Sequence, residues 1–269
     1  MSDYIFNRYW QKYCSPAFDE EELKEIYLWV KRHFDDYNLE LTEERIKEIC
    51  HRLELNEPIQ YILGECWFYN RRFEVNRHTL IPRPETEELC HLILKEQTHN
   101  SLKFLDACTG SGCIAVTLAA ERPEWNGEAL DISESALETA KKNAFVNDVK
   151  TRLHFYEHDL LGSTELSADY NLIVSNPPYV NKNERNSMDS RVLDWEPEQA
   201  LFPNHEDVTI FYKRLRSLLQ QQTQPCVLWA EINPMYANEM KQMFPGSEIR
   251  FDMYGKARFL RAEKQKGAV

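Results

Sequence analysis

An apolar run, Leu172-Ile173-Val174-Ser175, passes directly into Asn176-Pro177-Pro178-Tyr179. These residue types in this order describe a site that holds a planar NH2 group. Neither proline has an N–H, so no turn hydrogen bond through the next amide can consume the Pro177 carbonyl, and both φ angles are fixed. That carbonyl is left to accept. Asn176 can present a side-chain oxygen beside it, and Tyr179 can lay an aromatic face over a flat π-system while its hydroxyl stays within reach of a partner. Two acceptors and a ring fit an amide or an exocyclic amine. A bare Pro-Pro-Tyr reads more simply as a strand ended by prolines, but an Asn at the carboxyl end of an apolar strand favours a ligand site, because open α/β sheets bind there.

A second group lies upstream. Asp106-Ala107-Cys108-Thr109-Gly110-Ser111-Gly112 joins an apolar strand to a helix, and its two glycines let the backbone turn sharply and approach a ligand beneath a helix amino terminus. Asp131 ends the next strand about 20 residues on, where a carboxylate can take both hydroxyls of a ribose. Asp159, in His158-Asp159-Leu160-Leu161, ends the third and is placed to accept from an adenine amino group. Gly110-x-Gly112-x-x-Ala115 also satisfies the dinucleotide fingerprint, so an NAD-dependent dehydrogenase competes. Hydride transfer has no evident use for two acceptors and a ring at the fourth strand tip, whereas a methyl donor at the glycine loop would face the NH2 they hold. His154 and His158 flank a strand and read as structural or solvent-facing.

The elements that must position these groups alternate. Strands at 102–106, 128–131, 153–157, 172–175 and 227–232 interleave with helices at 113–121, 135–147, 209–219 and 235–243. Such a series predicts a parallel sheet covered by helices on both faces. Two closing strands, 248–253 and 257–261 around Tyr254-Gly255, predict an antiparallel edge. Residues 1 to about 56 contain one proline, Pro16, and no glycine, and favour short amphipathic helices, with starts at Asp19 and near Thr42. Cys66–Tyr69 and Phe73–Val75, separated by Asn70-Arg71-Arg72, predict a hairpin, and Pro82 and Pro84 mark a boundary.

Composition narrows the partners. The chain has 269 residues, 42% of them hydrophobic, and a net charge of −12, which argues against unaided binding to a phosphate backbone and favours a basic partner. Its seven cysteines form no C-x-x-C pair and suit reduced, mostly buried thiols; no metal site is expected. No signal-like start and no apolar stretch of ~18 residues is present, so the expectation is a cytoplasmic protein off the membrane.

With these marks in order, the chain resembles class I S-adenosylmethionine-dependent methyltransferases, and within them the protein-glutamine N5-methyltransferases of the HemK/PrmC type. The resemblance runs from about Glu57 to Arg261. It is carried by Glu57-Pro58-Ile59-Gln60-Tyr61-Ile62-Leu63-Gly64, Phe68-Tyr69, Leu80-Ile81-Pro82-Arg83-Pro84-Glu85-Thr86-Glu87, Thr109–Gly112, Asn176–Tyr179 and Glu196-Pro197-x-x-Ala200-Leu201. Asn-Pro-Pro-Tyr is shared with adenine-N6 DNA methyltransferases, and the first two marks narrow the choice.

The resemblance implies a Rossmann-like, mostly parallel sheet with an antiparallel carboxyl-terminal edge, preceded by a helical substrate-recognition domain (1–64) and a hairpin linker (65–84), with the methyltransferase domain at 85–269. It implies that Asp106, Cys108, Thr109, Gly110, Ser111, Gly112, Asp131, Asp159, Leu160 and Asn176 hold S-adenosylmethionine, which leaves as S-adenosylhomocysteine. It further implies that Asn176, Pro177, Pro178 and Tyr179 hold the substrate, with Asn176, Pro177 and Tyr179 catalytic. The implied substrate is the glutamine of the Gly-Gly-Gln motif in class 1 peptide chain release factors, met by a monomer without nucleic acid. A ribosomal-protein glutamine, an adenine-N6 nucleic-acid methyltransferase and a non-catalytic cofactor-binding module are the alternatives. The chain departs from the family at three points: Cys108 stands where glycine is usual, the helical unit is short, and Phe202–Val208 replaces the usual glycines and Asp-Gly.

Overall fold

The computed structural model describes residues 20–162, 166 and 169–264, which form two compact units. The first comprises Met1–Glu65 with Met188–Trp195, and the second comprises Cys66–Ser187 with Glu196–Val269. The helix start expected at Asp19 falls outside the described residues.

In the first unit, α1 (Glu20–Asp36), α2 (Glu43–Glu54) and α3 (Ile59–Leu63) share one small core. Ile26, Val30 and Phe34 recur every fourth residue on α1, so they form a single apolar stripe, which packs on Ile46, Ile49, Cys50 and Leu53 of α2. Thr42 caps α2 by accepting the Arg45 amide, as its sequence position suggests. The Arg52 guanidinium grips Glu57 through two bonds of 2.7 and 2.6 Å, closing the connection from α2 to α3. Glu65 accepts from Tyr37 at 2.7 Å and lies at the same distance from His33 Nδ1. The short helix α7 (Ser190–Trp195), inserted far along the chain, belongs to this unit, and Arg191 pairs with Glu22.

The second unit opens on a hairpin, β1 (Glu65–Phe68) and β2 (Arg71–Glu74). Its turn is Tyr69-Asn70, not the expected Asn70-Arg71-Arg72. Both turn residues sit at positive φ, 49° and 58°, the two-residue geometry whose twist matches the strands it joins. The hairpin packs within the second unit: the Tyr69 amide donates to Glu87, and Asn143 both accepts from the Glu74 amide and donates to its carbonyl.

The main sheet has the order β5-β4-β3-β6-β7-β9-β8. Its strands are β3 (Lys103–Ala107), β4 (Asn126–Asp131), β5 (Leu153–Glu157), β6 (Leu172–Ser175), β7 (Val227–Glu231), β8 (Glu248–Phe251) and β9 (Ala257–Glu263). All pairs are parallel except those of β9 with β7 and β8. The expected antiparallel edge is therefore present, although β8 stops at Phe251, because Asp252 turns the chain by accepting the Tyr254 and Lys256 amides. Helices α4 (Pro84–Glu96), α5 (Cys113–Glu121), α6 (Glu134–Val146), α8 (Glu198–Leu201), α9 (Ile210–Gln221) and α10 (Ala237–Met243) complete the unit.

Register decides what meets at the carboxyl edge. Ala107 lies opposite Leu130 on one side and Ser175 on the other, and Ser175 lies opposite Ala230. One residue further along each strand the chain reaches Cys108, Asp131, Asn176 and Glu231 together. The strand order reverses at β3, between β4 and β6, which is where open α/β sheets form their crevice.

Gly127 on β4 pairs with Phe104 on β3, whose buried ring fills the space a side chain would need, lying 2.2 Å from where a Cβ would stand. Gly127→Ala should therefore overpack the sheet and cost about 1–3 kcal/mol. A thermal melt should move down by roughly 2–4 °C per kcal/mol for a unit of this size. An unchanged melting temperature would show that Phe104 moves aside freely.

Candidate active site

One cavity lies over the carboxyl ends of β3 to β6, entirely within the second unit. Its wall includes Cys108, Thr109, Gly110, Ser111, Asp131, Asp159, Leu160, Asn176 and Pro178. Asp106, Gly112, Pro177 and Tyr179 are not among the residues that line it.

The glycine loop is held by a buried acid. Asp106 is fully buried, and one of its oxygens accepts from the Thr109 hydroxyl at 2.6 Å and the Ala115 amide at 3.1 Å. Its other oxygen has no partner among the described residues. Burial pushes the Asp106 carboxyl up to about 7, against those two hydrogen bonds and with some help from Asp131. Gly110 and Gly112 both sit at positive φ, 56° and 79°. A Cβ on Gly112 would press on Ala140 at 3.0 Å, whereas one on Gly110 would meet nothing and project into open space. Cys108 also lies at positive φ, 63°, which explains why glycine would suit the position. Its thiol is held well above the usual range by burial and then by Asp131 and Asp106, so it stays neutral. Asn143 links the hairpin to this loop by donating to both the Glu74 and Ser111 carbonyls.

Asp131 accepts the Gly110 amide at 2.8 Å and the Ser133 amide at 3.0 Å, so the carboxylate spans from the loop to the start of α6. Burial raises its pKa despite these bonds. Asp159 is exposed, and its Oδ1 accepts the Leu161 amide, leaving Oδ2 for a ligand, while Leu160 is buried beside it. Each feature suits a nucleoside: a carboxylate for ribose, an apolar floor and a second acid. The unpartnered Asp106 oxygen and the open space at Gly110 fit a polar group brought close to the backbone.

At the tip of β6 the two prolines are buried and Asn176 and Tyr179 are half-buried. Asn176 Nδ2 donates to Thr86 Oγ1 at 3.2 Å, Thr86 donates to Glu231 Oε2 at 2.8 Å, and the Tyr179 hydroxyl donates to Glu231 Oε1 at 2.9 Å. No protein donor among the described residues reaches Asn176 Oδ1 or the Pro177 carbonyl, so both remain acceptors. Burial, followed by the Glu231 charge, holds the Tyr179 phenol well above its usual range.

Sequence reasoning gave no site role to Thr86, which it named only within a motif, or to Glu231. Their signals are modest: Pro84 with Glu85 and Glu87 opens a helix that places Thr86 in its first turn, and Glu231 is an acid ending an apolar strand. It also missed Glu196, which is buried, pairs with Arg83 and accepts the Ile81 amide at 3.2 Å. That pairing ties 81–83 to the 196–200 segment on the far wall of the cavity. His158, expected to be structural or solvent-facing, lies on the cavity wall with a buried Nε2 that has no partner among the described residues.

The Methyltransferase small domain family matches residues 87–206. A Bacteroides thetaiotaomicron protein named Release factor glutamine methyltransferase is 41% identical over 229 residues, 82% of this chain and 81% of its own. One of the same name from Flavobacterium psychrophilum is 36% identical over 266 residues, 91% and 93% of the two chains. Among solved structures, the hMettl16 catalytic domain in complex with a MAT2A 3'UTR hairpin superposes with a TM-score of 0.56 at 18% identity, covering 73% of this chain and 76% of that one, which is a likeness of fold.

The raised Asp106 pKa has a stability consequence. An unfolded aspartate ionises near ~4, whereas the folded one stays protonated up to about 7. Its contribution is therefore fully present below about pH 4 and is lost as pH rises through about 7. Asp106→Asn, which cannot ionise, should remove that part of the decline when denaturant midpoints of the unliganded protein are compared at about pH 5 and about pH 8. An unaltered pH slope would mean that Asp106 is not held protonated.

Proposed function

The chain belongs to the release factor glutamine methyltransferases, and from that membership we propose that it transfers a methyl group from S-adenosylmethionine to the side-chain amide nitrogen of the glutamine in the Gly-Gly-Gln motif of class 1 peptide chain release factors. The observation that carries the reading is the pair of unengaged acceptors at the tip of β6, beside the cavity at the glycine loop. Asp131 would hold the ribose hydroxyls, Asp159 the adenine amino group, and Cys108 to Gly112 would line the cofactor with their backbone. Asp106 and Gly112 would act from beneath by fixing the loop. When bound, the cofactor supplies an electrophilic methyl on a sulfonium.

An amide nitrogen is a poor nucleophile because its lone pair is delocalised into the carbonyl. In this site its two hydrogens would donate to Asn176 Oδ1 and the Pro177 carbonyl, which fixes the nitrogen in place and sets two dipoles against the positive charge it develops. Tyr179, with its hydroxyl engaged by Glu231, would offer its ring face to the amide plane. No strong base is needed, because an N–H already resting on an acceptor becomes acidic as the nitrogen is alkylated, and its proton is then lost to water. Pro178 would stiffen the turn. We further propose that the helical segment 1–64 recognises the release factor, that the hairpin region 65–84 joins it to the catalytic domain at 85–269, and that a monomer acts in the cytoplasm. No helix among the described residues is long and apolar enough to cross a membrane.

Asn176→Ala is expected to lower kcat on purified release factor by on the order of 100-fold, far more than it changes S-adenosylhomocysteine affinity. Tyr179→Phe should be milder than Tyr179→Ala, since the ring face rather than the hydroxyl meets the substrate. Near-wild-type turnover by the Asn176 variant would remove the amide clamp.

Cofactor binding is checked separately by calorimetry. Asp131→Ala should weaken S-adenosylhomocysteine by about 1.5–3 kcal/mol, the scale of lost charge-assisted hydrogen bonds. Tight NADH binding without a response to S-adenosylhomocysteine would instead favour the dehydrogenase.

A further inference from the structure

Asn176 is useful as an acceptor only if its amide is turned the right way. Its two ends are nearly equal in shape, and the backbone does not distinguish them. What distinguishes them is a short chain of polar groups behind the site. Glu231 and Thr86 are each 2% exposed, and the Glu231 carboxylate accepts from Thr86 at 2.8 Å and from Tyr179 at 2.9 Å. A carboxylate has no hydrogen to give. Thr86 has one, and it is spent on Glu231. Thr86 Oγ1 can then only accept from Asn176, so Asn176 must offer it the NH2 end, at 3.2 Å. Turned over, Asn176 would set a carbonyl against an oxygen with no free hydrogen and would face a substrate NH2 with its own.

We propose that Glu231 and Thr86 are positioning residues that set the direction of the Asn176 amide, so that the tip of β6 presents two acceptors and takes a primary amide in preference to a carboxylate. The same carboxylate engages the Tyr179 hydroxyl hydrogen, so the Tyr179 O–H is not offered to a glutamate oxygen at the tip of β6. This inference rests on the methyl-transfer reading above, and it adds a source for the selection of glutamine over glutamate.

The test uses the full-length protein and three variants, Thr86→Val, Thr86→Ser and Glu231→Gln. The Asn176 side-chain amide resonance, identified by its loss in Asn176→Asp, should shift in Thr86→Val and return in Thr86→Ser. On release factor, Thr86→Val should lower kcat by about 10-fold, as expected for one lost hydrogen bond, with S-adenosylhomocysteine affinity changed far less. Thr86→Ser should recover turnover to within about twofold, because the hydroxyl alone carries the effect. Glu231→Gln keeps the shape but can offer an NH2 to Thr86, reversing the chain, and should lower kcat at least as far as Thr86→Val. An Asn176 resonance unmoved by Thr86→Val, or equal loss of kcat in the Val and Ser variants, would overturn the proposal. A wild-type protein that ignores release factor yet shows the Val and Ser pattern in the resonance would retain the Thr86 relay and discard the substrate reading.

Discussion

A buried carboxylate can only accept, and Glu231 imposes that condition on everything packed around it. Burial raises its pKa, while the hydroxyls of Thr86 and Tyr179 and the nearby Arg258 favour the charged form. Its own backbone carbonyl accepts from the Tyr212 hydroxyl at 2.9 Å, so α9 is tied to the end of β7 as well. One side chain thereby couples α4, the turn after β6 and the centre of the sheet. Leaving a buried donor or acceptor without its partner costs more than a formed bond gains, so the arrangement is determined jointly rather than residue by residue.

Asp106 plays a comparable part on β3, two strands away across β6, with a different outcome. It has two donors on one oxygen and none on the other, and no cation beside it, so burial prevails and the carboxyl is pushed up to about 7. The loop it holds is reinforced from outside by Asn143, whose amide reaches both the hairpin and the Ser111 carbonyl. The hairpin is thus a brace for the cofactor loop as well as a connection in the chain. Cys108 tolerates its left-handed backbone within this brace, at a strain that glycine would not carry.

The acidic balance of the chain fits the proposed kind of partner. A net charge of −12 disfavours bare nucleic acid and suits a basic protein surface. The likeness to the hMettl16 catalytic domain is one of fold, and a fold by itself does not fix the acceptor.

Much of the fold was legible because it depends on local pattern. Apolar strands alternating with helices dictate a parallel sheet, and Tyr254-Gly255 between two apolar runs dictates the antiparallel edge; both are present. The residues of the candidate site were legible where chemistry is local: glycines at positive φ before α5, acids ending β4 and preceding Leu160, and prolines that free a carbonyl after β6. The hairpin turn begins one residue and ends two residues earlier than expected, because Tyr69 takes a positive φ that its type does not announce. The roles of Thr86, Glu196 and Glu231 were not legible. Thr86 lies 145 residues from Glu231 and 90 from Asn176, and only the packing of α4 against the sheet brings them within hydrogen-bond reach. Sequence alone therefore determined that an Asn, two prolines and a Tyr stand at a strand tip. The direction in which that Asn faces was decided by tertiary structure, because it depends on where one hydroxyl hydrogen is spent.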